Sequence, residues 1–287
     1  MKKGESIDIG ASITHFFELK DWVNRTLFIG GFLAIIIAVS FFMSFLFIIP
    51  IIGWIIGCFL TVVVIIGSLL YAAYLEGYKL ELIKAISTGK SMETVSIAAN
   101  YSMRFKKGAI LMLANFIYVL PIVLLYVIGF GLMFAPLILT GTSTASDVLM
   151  DDTSGAAAAD AVGGTAIIFS SLLFYLIIFI GIIYQMLQQY MIYPPMIIQY
   201  VKKGTFGSMF EWGVMWEFMK NNWVNMLIYA VLTFGAGIVL WFANMIGVFT
   251  LLICIGFILL PIIWAVGTVY ILHLQAHMLG QMARGSK

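Results

Sequence analysis

His273 and His277 stand four residues apart, so on a helix both imidazoles share one face. With that spacing a helix can present two nitrogens to zinc or haem iron. A structural zinc site takes four ligands, and here the only other histidine is His15, close to the N-terminus. The two cysteines, Cys58 and Cys254, lie inside apolar runs and are expected to pack as small hydrophobes. The pair is therefore a weak metal candidate, and hydrogen bonding to polar groups is its expected use.

Other chemistry is sparse. Ionisable side chains deep in a membrane segment mark ion pathways and proton relays, and none falls in the middle of an apolar run here. Glu76 closes one such run within reach of Lys79, as an interfacial ion pair would. Gly67-Ser68 and Ser170-Ser171 lack the nucleophile-elbow pattern, and no glycine loop of the Walker type occurs. The expectation is a protein with no enzymatic activity, no catalytic residues and no cofactor. Pro121 and Pro261 are more suggestive, because each falls near the middle of an apolar run. Proline there removes a backbone bond and kinks a helix. In lipid the freed carbonyl costs several kcal/mol unless neighbours or a bound molecule satisfy it. Gly129, Gly131, Gly256 and Gly267 would allow close backbone approach nearby. Pro121, Pro261, Gly129 and Gly256 are accordingly the candidates for shaping an apolar, lipid-occupied cavity between helices 3 and 6.

The elements that must hold these residues are apolar helices. No Asp, Glu, Lys or Arg occurs in 26–75, 108–146, 161–201 or 221–283. About 20 apolar residues span the bilayer core, so these blocks have room for six crossings, at about 26–49, 52–75, 108–135, 165–193, 224–243 and 248–275. The chain of 287 residues is 63% hydrophobic and 10% charged, with mean hydropathy +1.09. Soluble domains carry about 25% charged residues, which excludes a water-soluble globule. A net charge of +2 gives no reason to expect a nucleic-acid partner. Polar sequence runs to Arg25 before the first apolar stretch, unlike a cleavable signal peptide.

With six helices, all fifteen Lys and Arg fall on one side, in 1–25, 76–107, 194–223 and 276–287. The opposite side carries only Asp147, Asp151, Asp152 and Asp160. Basic residues are retained in the cytoplasm during insertion, so both termini are expected inside. The outer segment 136–164, rich in Ala, Gly, Ser and Asp, reads as a flexible acidic loop. The matches to the glycosylation pattern at Asn24 and Asn100 fall on the cytoplasmic side, as chance matches.

The helices read as three consecutive hairpins. Trp22-Val23-Asn24 opens the first and Trp223-Val224-Asn225 the third, while Arg104 to Gly108 opens the second. Tyr71 and Tyr74, Tyr190 and Tyr193, and Tyr270 and His273 close the even-numbered helices, at the level of the aromatic belt. The segments 7–23 and 206–223 place Phe, Met and Ile between charges, as amphipathic helices in the inner headgroup layer or on the floor of the bundle do.

The order of several short motifs resembles an uncharacterised prokaryotic multi-pass membrane family, the "domain of unknown function four thousand and thirteen". That family is distantly similar to the membrane domain attached to some glycerophosphodiester phosphodiesterases. The motifs are Glu76 to Leu80, Phe105 to Gly108, Tyr118 to Pro121, Tyr193-Pro194-Pro195 with Tyr200, Gly204 to Gly207 with Phe210, Cys254 to Gly256, and His277 to Gln281. A Pro-x-Trp element associated with the family's first cytoplasmic loop is absent from 76–107. The resemblance implies no catalytic residue.

These readings converge on an all-α polytopic protein of a prokaryotic cytoplasmic membrane, with a cytoplasmic amphipathic segment at 1–25 and a single six-helix domain at 26–283. The expected role is non-enzymatic binding of lipid or another apolar partner, in envelope homeostasis or within a membrane complex. The alternative is a transporter or permease subunit for a hydrophobic or amphipathic solute. Membrane lipids are the expected partners, with other membrane proteins or a second copy of the chain as further candidates.

Overall fold

The computed structural model describes residues 6–47, 49, 51–97, 99–147, 153–250 and 255–286, and every regular element among them is helical. Six stretches are long and apolar enough to cross a membrane: Trp22–Ser40, Gly53–Ser87, Tyr101–Phe134, Ile168–Lys203, Trp223–Phe249 and Leu259–Gly285. This is a membrane protein.

The chain forms two compact units, Met1–Ala114 with Ile192–Lys287, and Asn115–Met191. In the first unit, α1 (Ile9–Glu18) starts where the Asp8 carboxylate accepts the Ala11 N–H at 2.9 Å, a side-chain cap on an otherwise orphaned donor. A short α2 (Trp22–Arg25) passes through a π-helical turn, Thr26–Gly30, into α3 (Gly31–Leu46). Next come α4 (Ile52–Ser87) and the first part of α5 (Tyr101–Asp147). These two cross at Gly77 and Gly108, where a Cβ on either would sit in the partner helix's backbone, at the Arg104 and Ala73 carbonyls.

After the second unit the chain re-enters as α7 (Tyr193–Lys203), with Pro194 and Pro195 in its first turn, where their missing N–H groups cost nothing. Gly204, at φ 69°, ends it in the left-handed conformation that glycine adopts without strain. The first unit is completed by α8 (Trp212–Asn221), α9 (Trp223–Phe249) and α10 (Gly256–Gly285). α10 packs against α1, α3, α4, α7 and α9 and is the hub of this unit.

The second unit pairs the rest of α5 with α6 (Thr153–Leu187) and the π-helical turn Gln188–Ile192 that leads out of it. The Tyr184 hydroxyl donates to the Tyr118 carbonyl at 2.6 Å, and Gln188 donates to Asn115.

Several boundaries differ from the sequence reading, for physical reasons. α4 continues three turns past Leu75 because its polar end pairs internally, Lys79 donating to Glu76 at 2.8 Å. α5 runs to Asp147 and α6 begins at Thr153, so most of 136–164 is helix rather than loop. Ala156 to Ala159 are strong helix formers and outweigh the flanking glycines; residues 148–152, with Asp151 and Asp152, lie outside the described ones. α9 passes through Asn244, whose side-chain amide donates back to the Leu240 carbonyl at 2.8 Å, and continues to Phe249. The turn expected near Asn244 therefore comes later, and Pro261 sits in the second turn of α10 instead of its middle. Cys254 also lies outside the described residues.

Candidate functional site

The Lys- and Arg-rich end of the first unit is a closed hydrogen-bonded layer built around two buried arginines. Arg25 is 0% exposed. It donates to Asp21 at 2.9 Å, to the Tyr78 hydroxyl at 2.6 Å and to the Met92 carbonyl at 3.3 Å. The Tyr78 hydroxyl lies 3.3 Å from His273 Nε2, while His273 Nδ1 lies 2.8 Å from the Val269 carbonyl. A carbonyl can only accept, so Nδ1 carries the proton and Nε2 accepts from Tyr78. Both nitrogens of His273 are thereby committed.

Arg104, also buried, donates twice to Glu81, at 2.9 and 2.7 Å, and to the Tyr74 hydroxyl at 3.0 Å. It also donates to the Ser96 and Ile97 carbonyls. The guanidinium fork suits several acceptors at once. Together the two arginines hold the backbone of the α4–α5 connection at Met92, Ser96 and Ile97.

His277 faces α1. Its Nδ1 lies 3.0 Å from Ser12 Oγ and 3.0 Å from Gln281 Nε2. The Gln281 carbonyl oxygen accepts the Asp8 N–H at 2.8 Å, which fixes the amide orientation and makes Nε2 the donor to His277. The His15 ring lies tilted against that of His277, at 4.7 Å between centroids. His273 and His277 thus share a helix face yet turn to different partners. Among the described residues no group of three or more His, Cys, Asp or Glu stands together. The histidines instead help to dock α1 on α10, where Phe16 packs edge-on against Trp22 and Tyr270.

Beyond α1 lies an apolar groove between α9 and α10, with a volume of about 760 Å³. Val231, Gly235, Ala236, Val239, Leu240 and Ala243 form one wall, and Ile262, Ile263, Val266, Gly267, Tyr270, Ile271 and Leu274 the other. Ile13 of α1 closes one end, where the Tyr270 hydroxyl donates to the Ile13 carbonyl at 3.4 Å. The gap exists because small residues, Gly235, Ala236 and Ala243, recur on α9: a Cβ added to Gly235 would meet nothing within 4 Å.

The expected cavity residues sit elsewhere. Pro261 is adjacent to Ile262 and Ile263 of the groove but does not line it, and Gly256 opens α10. Pro121 and Gly129 belong to the second unit, where Gly129 lets α5 approach Ile177 of α6: a Cβ there would meet Ile177 Cγ2 at 3.0 Å. The groove is formed by the fifth and sixth spans, not by the third and sixth. Its signal in the sequence was the small-residue series on α9, which proline-centred reasoning passed over.

Residues 56–249 match the family described as Protein of unknown function (DUF4013). That match does not extend to the phosphodiesterase membrane domain. No curated protein and no solved structure matches the chain. The family match covers well over half of the chain and takes in four of the six apolar spans, the second to the fifth, and the chain belongs to this family of unknown function.

Proposed function

We propose that this is a non-enzymatic lipid-binding protein of a prokaryotic cytoplasmic membrane, with both termini cytoplasmic, serving envelope homeostasis or an associated membrane complex. The observation that carries this reading is the groove between α9 and α10. Its volume of about 760 Å³ falls in the range of about 300–1,000 Å³ found for small-molecule sites. Its walls are aliphatic but for Tyr270, and they offer an acyl chain dispersion contacts and no polar group to desolvate. Val231, Val239 and Ile262 stand exposed along the groove, so it opens sideways to the hydrocarbon. A chain entering there would meet α1 and the basic end at its polar terminus.

A permease for an amphipathic solute is the second reading. One feature favours it: Asn225, Tyr229 and Thr233 recur every four residues along one buried face of α9, with the Thr233 hydroxyl lacking a hydrogen-bond partner among the described residues. Such a row would line a polar path.

Photocrosslinking in nanodiscs tests the first reading. A phospholipid carrying a diazirine near the end of its acyl chain should label peptides 231–243 and 262–274 well above the other lipid-facing segments. Even labelling of α3, α4, α9 and α10 would indicate ordinary annular lipid and remove the basis for a site.

A further inference from the structure

A second cavity, of about 100 Å³, lies where α4, α5 and α7 converge, and it shares no residue with the groove. Its lining includes Glu81 and Lys84 of α4, Lys107 of α5, and Tyr200 and Gly204 at the end of α7. Unlike the apolar groove between α9 and α10, it gathers charge. The charge of Glu81 is offset by Arg104, which donates twice to its Oε2. Lys84 and Lys107 have no ion pair or side-chain hydrogen bond among the described residues. The Tyr200 ring is packed, with the residue 6% exposed, while its hydroxyl is not among the buried unpartnered atoms and makes no hydrogen bond to the described residues. A phenol with no protein acceptor is free to donate to a ligand in this space. Here it faces a space shared with two unpaired ammonium groups.

We infer that this cavity is an anion site that takes a phosphate group, held by Lys84, Lys107 and Tyr200. Lysine binds phosphate as a point charge, and the phenol adds a directed donor. Basic pockets between membrane helices receive phospholipid headgroups in this way. Lys107 stands directly before a charge-free block, whereas Lys84 lies about 13 Å along the α4 axis beyond the last residue of its own block. The cavity is thus reached both from the headgroup layer and from water, and the phosphate is that of a lipid or of a soluble ion. The inference does not rest on the α9–α10 groove.

Two arms test it with the full-length protein. In the first, nanodiscs of phosphatidylglycerol and phosphatidylcholine in equal parts are analysed by native mass spectrometry for the lipid that stays bound. In the second, inorganic phosphate is titrated into detergent-solubilised protein, against chloride at equal ionic strength, and thermal melting is followed. Selective retention of phosphatidylglycerol identifies a headgroup, and a rise in melting temperature with phosphate identifies the free ion. In the positive arm Lys84→Gln and Lys107→Gln should each weaken binding about fivefold. Tyr200→Phe, which keeps the ring packed, should weaken it as well. The lysines are exposed or half-exposed, so their variants should melt as the wild type does without ligand. Wild-type protein that binds neither probe selectively, or folded lysine variants that bind as wild type does, would overturn the site.

Discussion

Arg104 is a full charge with almost no access to water, held in place because Glu81, Tyr74 and two backbone carbonyls meet its donors. Removing one member of a buried pair strands the other, at a cost of about 3–5 kcal/mol. Arg104→Met should therefore lower stability in detergent by about 3 kcal/mol, whereas Arg104→Met with Glu81→Leu should recover much of that loss. Equal destabilisation by the single and double changes, measured by thermal melting, would contradict the pairing. His15 gives a pH dependence. Burial holds its imidazole below the ordinary 6.5, against the upward pull of Glu18 and Glu93, and Arg25 pushes it further down. The unfolded chain then takes up a proton at a higher pH than the folded one, so the stabilising contribution is complete above about pH 6.5 and declines as the pH falls. Melting should come earlier at about pH 5.5 than at about pH 7.5, and by a smaller margin in His15→Gln. An unchanged margin in the variant would remove His15 from the effect. The sequence pointed to hydrogen bonding by His273 and His277 but not to their partners or to the two arginines. Arg25 meets Tyr78 and Met92, and Ser12 meets His277, across separations of 53, 67 and 265 residues, and no local pattern records such pairs.

α8 has one packed and one exposed face, so packing against the protein accounts for part of the amphipathic pattern of 206–223. Met215 and Phe218 are buried, so one face packs against the protein, while Trp212 and Trp216 are 52% and 57% exposed on the other. Phe218→Ala should cost about 3 kcal/mol of stability. Trp216→Ser should leave melting unchanged and reduce protection of 212–221 from hydrogen exchange in nanodiscs, as befits an aromatic ring at the membrane interface. The reverse assignment of effects would mean that the helix faces are misplaced. At this scale the existence of each span was readable from apolar length alone. The ends were not, since polar turns such as 76–87 continue as helix when their charges pair along the same face. α1 was visible as an amphipathic stretch, but its docking on α10 depends on Phe16 meeting His273 and Ser12 meeting His277 across nearly the whole chain.

Every described Lys and Arg belongs to the first unit, and the second unit has none. If that end is cytoplasmic, a cysteine at Ser154, in a background lacking Cys58 and Cys254, should react with an impermeant maleimide in intact cells, whereas a cysteine at Ser91 should react only after lysis. The opposite pattern would invert the orientation. The charge asymmetry that motivates this was evident in the sequence. The groove was not, because it arises from a spacing between two helices rather than from a residue type. The most direct test of lipid binding is the number of phospholipids retained per protein in native mass spectra from nanodiscs, for wild type, Gly235→Leu and Gly237→Leu. Both glycines have open space for a side chain, but only Gly235 lines the groove. Gly235→Leu should lose retained lipid while Gly237→Leu keeps the wild-type number, and equal retention in all three proteins would contradict a lipid site between α9 and α10.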